Sequence, residues 1–368
     1  AAYGNPLAAN EWPLADAAPR AGKFLAASWQ NRPLVQAVPV KKDREVTLTL
    51  HARAATPPGF VEPKRLGSDT AAHRALAKIK RGVNLGNGWE APPNNTWGAR
   101  FTPEDIDRIA DEGFDHIRVP VAWHYYLGES GNEIDPALFA ALDPVLRRAV
   151  ERKLHIMLNW HHFDALTSDP AGQRGRFITI WEAIAEHYRD WPAGLFLELL
   201  NEPKDALTTA AANPLYAETI AAIRKIDPQR LVVVSPGQWG NVSELEALRL
   251  PDGDERIIVT FHCYDPFYFT HQGANWVNLT PLRDVRYPGP PATPLEIPAA
   301  LAENVGVRQF VAAYNTQKGE RNPSSKRPIR EALDLAQQWS AHFGRPVYLG
   351  EFGSHQVADA ASRERYSR

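Results

Sequence analysis

The chain has 368 residues, 44% of them hydrophobic and 23% charged, with a formal charge of −2. That composition excludes a disordered or collagen-like chain, and the near-zero charge without a basic run argues against nucleic acid or an anionic membrane surface as partner. The single cysteine, Cys263, excludes an intrachain disulfide, no apolar run reaches membrane-spanning length, and the load of 11 Trp and 11 Tyr is high.

In chain order, residues 1–55 read as a small β-rich extension or part of a β-sandwich module. Residues 46–50 alternate apolar and polar side chains and can pair with 34–38 across the Lys41-Lys42-Asp43 turn, with 23–29 as a third strand. A proline-bearing linker follows and passes into a short helix, which Ser68 or Asp69 would cap, so that 56–77 is linker and helix. The chain opens with Ala1 and stops within a charged helix start, so a partial sequence is expected.

From residue 78 onward strand and helix patterns alternate. Strand-like runs lie at 82–85, 115–119, 154–159, 195–200, 231–234, 257–261 and 346–349. Thr102-Pro103-Glu104-Asp105 forms a capping box with Pro at the first helical position, and Gly113 ends that helix. Apolar residues at three- and four-residue spacing predict helices over 136–153, 176–188, 214–226 and 328–343. Repeated strand–helix alternation means a parallel sheet, and its extent predicts a (β/α)8 TIM barrel over 78–368. The eighth strand has no place in the sequence; either residues 1–55 help to fill the gap or the chain continues beyond Arg368, and continuation is the expectation.

The densest chemical signal is Phe196-Leu197-Glu198-Leu199-Leu200-Asn201-Glu202-Pro203, an apolar run that ends on a carboxylate and is closed by proline. A glutamate at the mouth of a barrel sits where partial desolvation can raise its pKa, as a general acid requires. Reading off the other strand ends gives Asn84, Asn87, Arg118, His161, His162, His262, Tyr264 and Glu351. Glu202 and Glu351, at the ends of the fourth and seventh strands, should face each other. Two facing carboxylates suit glycoside hydrolysis, one protonating the departing oxygen and the other attacking or activating water.

Six motifs together resemble the family-five glycoside hydrolases of the cellulase type. They are Arg81-Gly82-Val83-Asn84-Leu85-Gly86-Asn87, Ile117-Arg118-Val119-Pro120, Asn159-Trp160-His161, Leu200-Asn201-Glu202-Pro203, His262-Cys263-Tyr264 and Gly350-Glu351-Phe352-Gly353. The resemblance implies that Glu202 is the acid/base and Glu351 the nucleophile of a retaining, double-displacement reaction on a β-1,4-glucan. It further implies that Asn201 bonds the sugar 2-hydroxyl, Arg118 and Tyr264 keep Glu351 ionised, His262 lies against Glu202, and His161 binds a sugar hydroxyl. The family's tryptophan under the sugar belongs to the strand not found here.

Trp123, Trp160 and Trp181 read as core, whereas Trp89, Trp97, Trp239, Phe267, Tyr268 and Trp276 fall in loops after strands and are candidate sugar platforms, beside Asn87 and His162. The long aromatic stretch at about 265–296 is expected to form one wall of the cleft and to set specificity. β-Mannan, xyloglucan and short glucosides are alternative substrates on the same barrel. A non-catalytic carbohydrate-binding barrel would keep the aromatics but lose a carboxylate. A metal-dependent hydrolase would need a His and Asp ligand set, and His161-His162, adjacent on a strand, should point to opposite faces. No cofactor and no metal are expected. A monomer with a β-glucan partner, no nucleic acid and no membrane, secreted or periplasmic because of its substrate, completes the expectation.

Overall fold

The computed structural model describes residues 65–93, 98–128 and 131–368. The expected β-rich extension at 1–55, the linker up to residue 64, and Trp97 lie outside the described residues.

Among the described residues, seven strands form one all-parallel sheet in sequence order. They are β1 (Gly82–Asn84), β2 (His116–Val121), β3 (His155–Trp160), β4 (Leu195–Glu198), β5 (Val232–Val234), β6 (Ile257–His262) and β7 (Val347–Glu351). Each strand signal in the sequence corresponds to one of them. Helices return the chain between strands, giving the nearly closed barrel of a (β/α)8 fold. The side chain of Asn84 crosses from β1 to β7, its Nδ2 donating to the Gly350 carbonyl at 3.2 Å. His116 Nε2 and the Tyr348 hydroxyl meet at 2.9 Å inside the same seam.

The period-two alternation of the strands sorts their side chains. Ile117, Val119, Ile156, Leu158, Leu195, Leu197, Val232, Val234, Ile257 and Val259 join the helix-facing core. Met157, Phe196, Val233 and Ile258 fill the barrel interior with Ala72 and Ile79, so the first helix closes the barrel at that end. Inward positions nearer the other end carry Arg118, Asn159, Glu198 and Thr260, all buried. The interior therefore changes from apolar to polar toward the C-terminal ends of the strands.

Local capping moves several helix starts. The first helix, Ala71–Leu76, is capped by Thr70, not by Ser68 or Asp69: Thr70 has the extended backbone a cap needs, and its Oγ1 accepts from His73 N at 3.3 Å. Helix Pro170–His187 begins earlier than the expected 176 because the Asp169 carboxylate accepts from Gly172 N at 2.9 Å. Helix Thr209–Ile226 begins on Thr208, whose Oγ1 accepts from Ala211 N at 3.3 Å. Pro214, read as a helix start, therefore lies inside that helix. Helices Pro103–Asp111, Pro136–Glu151 and Arg327–Phe343 fall where their patterns put them, the last ended by Gly344 in the left-handed region at φ 64°.

The stretch after β6 is more than a loop. It contains the helix Val305–Thr316, absent from the sequence reading, and Phe269, Leu279, Leu282, Val285, Tyr287, Leu301, Val307, Phe310, Val311 and Tyr314, which form a separate apolar cluster with Ala358 from beyond β7. This second cluster, tied to the residues after β7 by the Tyr287 N–H donated to Ser362 Oγ at 3.0 Å, gives the stretch packing of its own beside the barrel core.

Candidate active site

The polar end of the barrel collects side chains from five strands. Arg118 on β2 is 1% exposed, and all five of its N–H donors are used. Nε and Nη2 donate to the two oxygens of Glu198 at 2.8 and 2.7 Å, Nη2 also to Asn201 Oδ1 at 2.6 Å, and Nη1 to Asn84 Oδ1 at 3.0 Å and to Glu351 Oε1 at 2.6 Å. The second oxygen of Glu351 accepts from the Tyr264 hydroxyl at 2.7 Å. His262 Nδ1 lies 2.7 Å from Glu202 Oε1 and 3.6 Å from Glu351 Oε2.

One carboxylate oxygen each from Glu202 and Glu351 and one His262 nitrogen all lie within 4.8 Å of one another. The facing carboxylates expected from the sequence are therefore together, and within the spacing of a pair that works on one bond. Their surroundings differ. Burial by itself would raise the Glu351 pKa, but the neighbouring His262 and Arg118 charges and the Tyr264 hydrogen bond outweigh it and hold the carboxyl well below the usual range. Burial opposes protonation of His262, and the Glu351 charge together with the Glu202 hydrogen bond more than offsets it, so its pKa stands above the ordinary histidine value. The surroundings thus favour the anionic form of Glu351, and Glu202 sits beside a ring whose protonated form is favoured.

Asn201, 1% exposed, is turned by its Oδ1 contact with Arg118, which leaves Nδ2 buried without a partner among the described residues. His161 is buried beyond β3, and burial first, then the neighbouring His162, push its pKa well below the usual value, so the ring is neutral. The two histidines do not lie on a strand as the opposite-faces reading assumed. Both follow the end of β3, His162 has φ 55°, and their rings meet edge to face at 4.0 Å.

The aromatic candidates divide. Trp239 (53%), Phe267 (41%) and Trp276 (65%) are exposed, and Phe267 and Trp276 both pack against the His271 ring. Trp239 follows Gln238 in left-handed backbone, at φ 59° and 52°, and its N–H donates to the Pro203 carbonyl at 3.1 Å, directly after Glu202. Two consecutive non-glycine residues there cost free energy that nearby packing must offset. Tyr268 packs on Phe310 at 4.7 Å, and Trp89 is half-buried with its ring stacked 5.9 Å from Phe101. Asn87 is exposed at φ 62° and its N–H is donated to the Glu90 carboxylate. Trp123, Trp160 and Trp181 are core, as read. Cys263 is buried and its thiol pKa is pushed up by that burial.

The sequence reading passed over two residues. Phe352, next to Glu351, is 54% exposed. Glu198 is 0% exposed and holds two Arg118 donors. A lone carboxylate inside a strand covered on both faces needs a partner or a proton, but its spacing in the sequence does not say which group it meets.

A family model described as Cellulase (glycosyl hydrolase family 5) matches residues 80–367. Endoglucanase 3 of Fibrobacter succinogenes is 28% identical over 320 residues, which is 82% of this chain and 48% of that protein, so the chain spans about half of that relative's length. Endoglucanase C of Acetivibrio thermocellus is 30% identical over 307 residues, 78% of this chain and 85% of the relative. Among solved structures, endoglucanase Cel5A from the hyperthermophilic Thermotoga maritima is 31% identical with a TM-score of 0.67, covering 80% of this chain and 85% of that one; it has also been solved with cellobiose and with mannotriose. The match covers nearly the whole barrel and agrees with the fold, and the chain belongs to glycosyl hydrolase family 5.

Proposed function

We propose that the chain is a retaining endo-β-glycosidase acting on β-1,4-glucan, with Glu351 as nucleophile and Glu202 as acid/base. The observation that carries this reading is the approach of the two carboxylates to within 4.8 Å, with only Glu351 bonded to a guanidinium and a phenol. Retaining enzymes keep the pair about 5–5.5 Å apart, whereas inverting ones need about 6.5–9.5 Å to admit water. In the first step a Glu351 oxygen bonds to the anomeric carbon, the glycosidic C–O bond breaks, and the proton of Glu202 goes to the departing oxygen. In the second, Glu202 takes a proton from water as that water attacks the anomeric carbon, and Glu351 leaves as a carboxylate. Asn201 Nδ2, free and pre-aimed by Arg118, offers a donor to the sugar 2-hydroxyl.

The relatives named endoglucanases support a glucan substrate. The mannotriose complex of the Thermotoga protein keeps β-mannan as a second reading. A polymer of this kind cannot enter a cell, so the enzyme acts outside the cytoplasm. The direct test is Glu351→Gln, assayed on an aryl β-cellobioside and on a panel of soluble β-glucan, mannan and xyloglucan. Hydrolysis should be abolished while cello-oligosaccharide binding survives in calorimetry. Full activity in that variant would refute the role given to Glu351, and a wild-type preference for mannan would move the substrate.

A further inference from the structure

We infer that Glu198 is a positioning residue for the reaction: it is the permanent counter-charge of Arg118, and it is what lets Glu351 leave its ion pair to become an ester. This rests on the double-displacement reading above and goes beyond it to a residue that neither touches substrate nor donates a proton.

Arg118 and Glu198 are 1% and 0% exposed, so neither charge can be taken up by solvent. Glu351, by contrast, changes charge during turnover. When its oxygen bonds to the anomeric carbon and the glycosidic bond breaks, the carboxylate becomes a neutral ester, and the proton from Glu202 leaves on the departing sugar. Arg118 keeps its positive charge throughout. The negative charge passes to Glu202, which is left as a carboxylate against His262 at 2.7 Å, while the five Arg118 donors all go to other groups. If Glu351 were the sole carboxylate bonded to Arg118, each turnover would leave that buried cation without a bonded counter-charge, which is unfavourable. Glu198 prevents this. Its two oxygens hold Nε and Nη2 in the fork geometry that fixes a guanidinium plane, at 2.8 and 2.7 Å, and Asn159 Nδ2 steadies Glu198 Oε1 at 3.2 Å. With that edge anchored, Nη1 is aimed at Glu351 and the second Nη2 proton at Asn201. Glu198 thus sets both the direction of Arg118 and the strength with which it holds the nucleophile.

The test uses Glu198→Gln, which keeps the shape and one acceptor but removes the charge, and Glu198→Asp, which keeps the charge. Both are to be compared with the wild-type chain by circular dichroism, by steady-state kinetics on an aryl β-cellobioside, and by the rate at which a 2-deoxy-2-fluoro cellobioside with an activated leaving group labels Glu351, read by mass spectrometry. For Glu198→Gln, kcat and the labelling rate should fall about 100-fold, the scale of a misplaced reacting group. KM should stay within about threefold, because no contact to the sugar is lost. Glu198→Asp should recover part of the loss, and in an Arg118→Lys background the Glu198→Gln effect should shrink to a few-fold. Labelling of Glu198→Gln at the wild-type rate, an undiminished effect in the Arg118→Lys background, or failure of both single variants to fold would each overturn the inference. A wild-type chain that labels elsewhere than Glu351 would sink the double-displacement reading instead.

Discussion

Replacing Arg118 by Met should destabilise this barrel severely, and the size of the effect follows from its partners. Arg118→Met keeps the side-chain length but leaves Glu198, 0% exposed, with only the Asn159 amide among the bonds described at 3.2 Å. A buried carboxylate stripped of its cation costs about 3–5 kcal/mol, mostly the penalty of the charge left behind. For a domain of this size that corresponds to a Tm lowered by roughly 6–10 °C. The cost should not be additive. Arg118→Met with Glu198→Gln removes both charges, and replacing both partners of a buried pair is often close to neutral, so the double variant should regain about half or more of the loss. Urea denaturation of the two single variants and the double, read by tryptophan fluorescence, measures this directly. A loss below about 1 kcal/mol for Arg118→Met, or a double variant no more stable than it, would refute the account of a buried pair held by mutual need.

Tyr264→Phe removes a hydrogen bond donated to the Glu351 carboxylate at 2.7 Å. A donated bond favours the ionised form, so the Glu351 pKa should rise toward the ordinary carboxylate value and the acid limb of kcat/KM should move to higher pH; a shift to lower pH contradicts the assignment. Trp239→Gly relieves a left-handed backbone strain of about 1–2 kcal/mol, less what the freer unfolded chain recovers, while it removes an exposed ring beside Glu202. Stability by urea melts should hold or improve while KM for long oligosaccharides rises, and an unchanged KM would remove Trp239 from the cleft. Gly82→Ala should cost about 1–3 kcal/mol or more, since a Cβ there would stand 2.0 Å from His116 Nε2, whose ring is fixed by Asp115 at 2.6 Å and Tyr348 at 2.9 Å; a melt unchanged from wild type would show that the floor of the barrel can give.

The sequence by itself located the seven strands in order and their ends to within two residues. Near-continuous apolar runs such as 195–200 suit strands covered on both faces, and in a parallel barrel their C-terminal ends converge, so Arg118, Asn201, Glu202, His262, Tyr264 and Glu351 were legible before any coordinate. Helix starts were less legible, because proline at 214 and small residues near 170 carry periodicity poorly and the true boundaries were decided by single hydrogen bonds at Thr208 and Asp169. The helix Val305–Thr316 carries Val307, Phe310, Val311 and Tyr314 at three- and four-residue spacing, so its pattern was present in the sequence and was passed over; only the structure shows the separate core that this face joins. Only the tertiary structure decided which polar side chains share a donor. Five bonds from one guanidinium join residues 84, 118, 198, 201 and 351, and nothing in their spacing along the chain announces that Glu198, inside an apolar run, faces inward to complete them. The physical reason is the strand's alternation combined with register: it takes both to say which buried charge meets which.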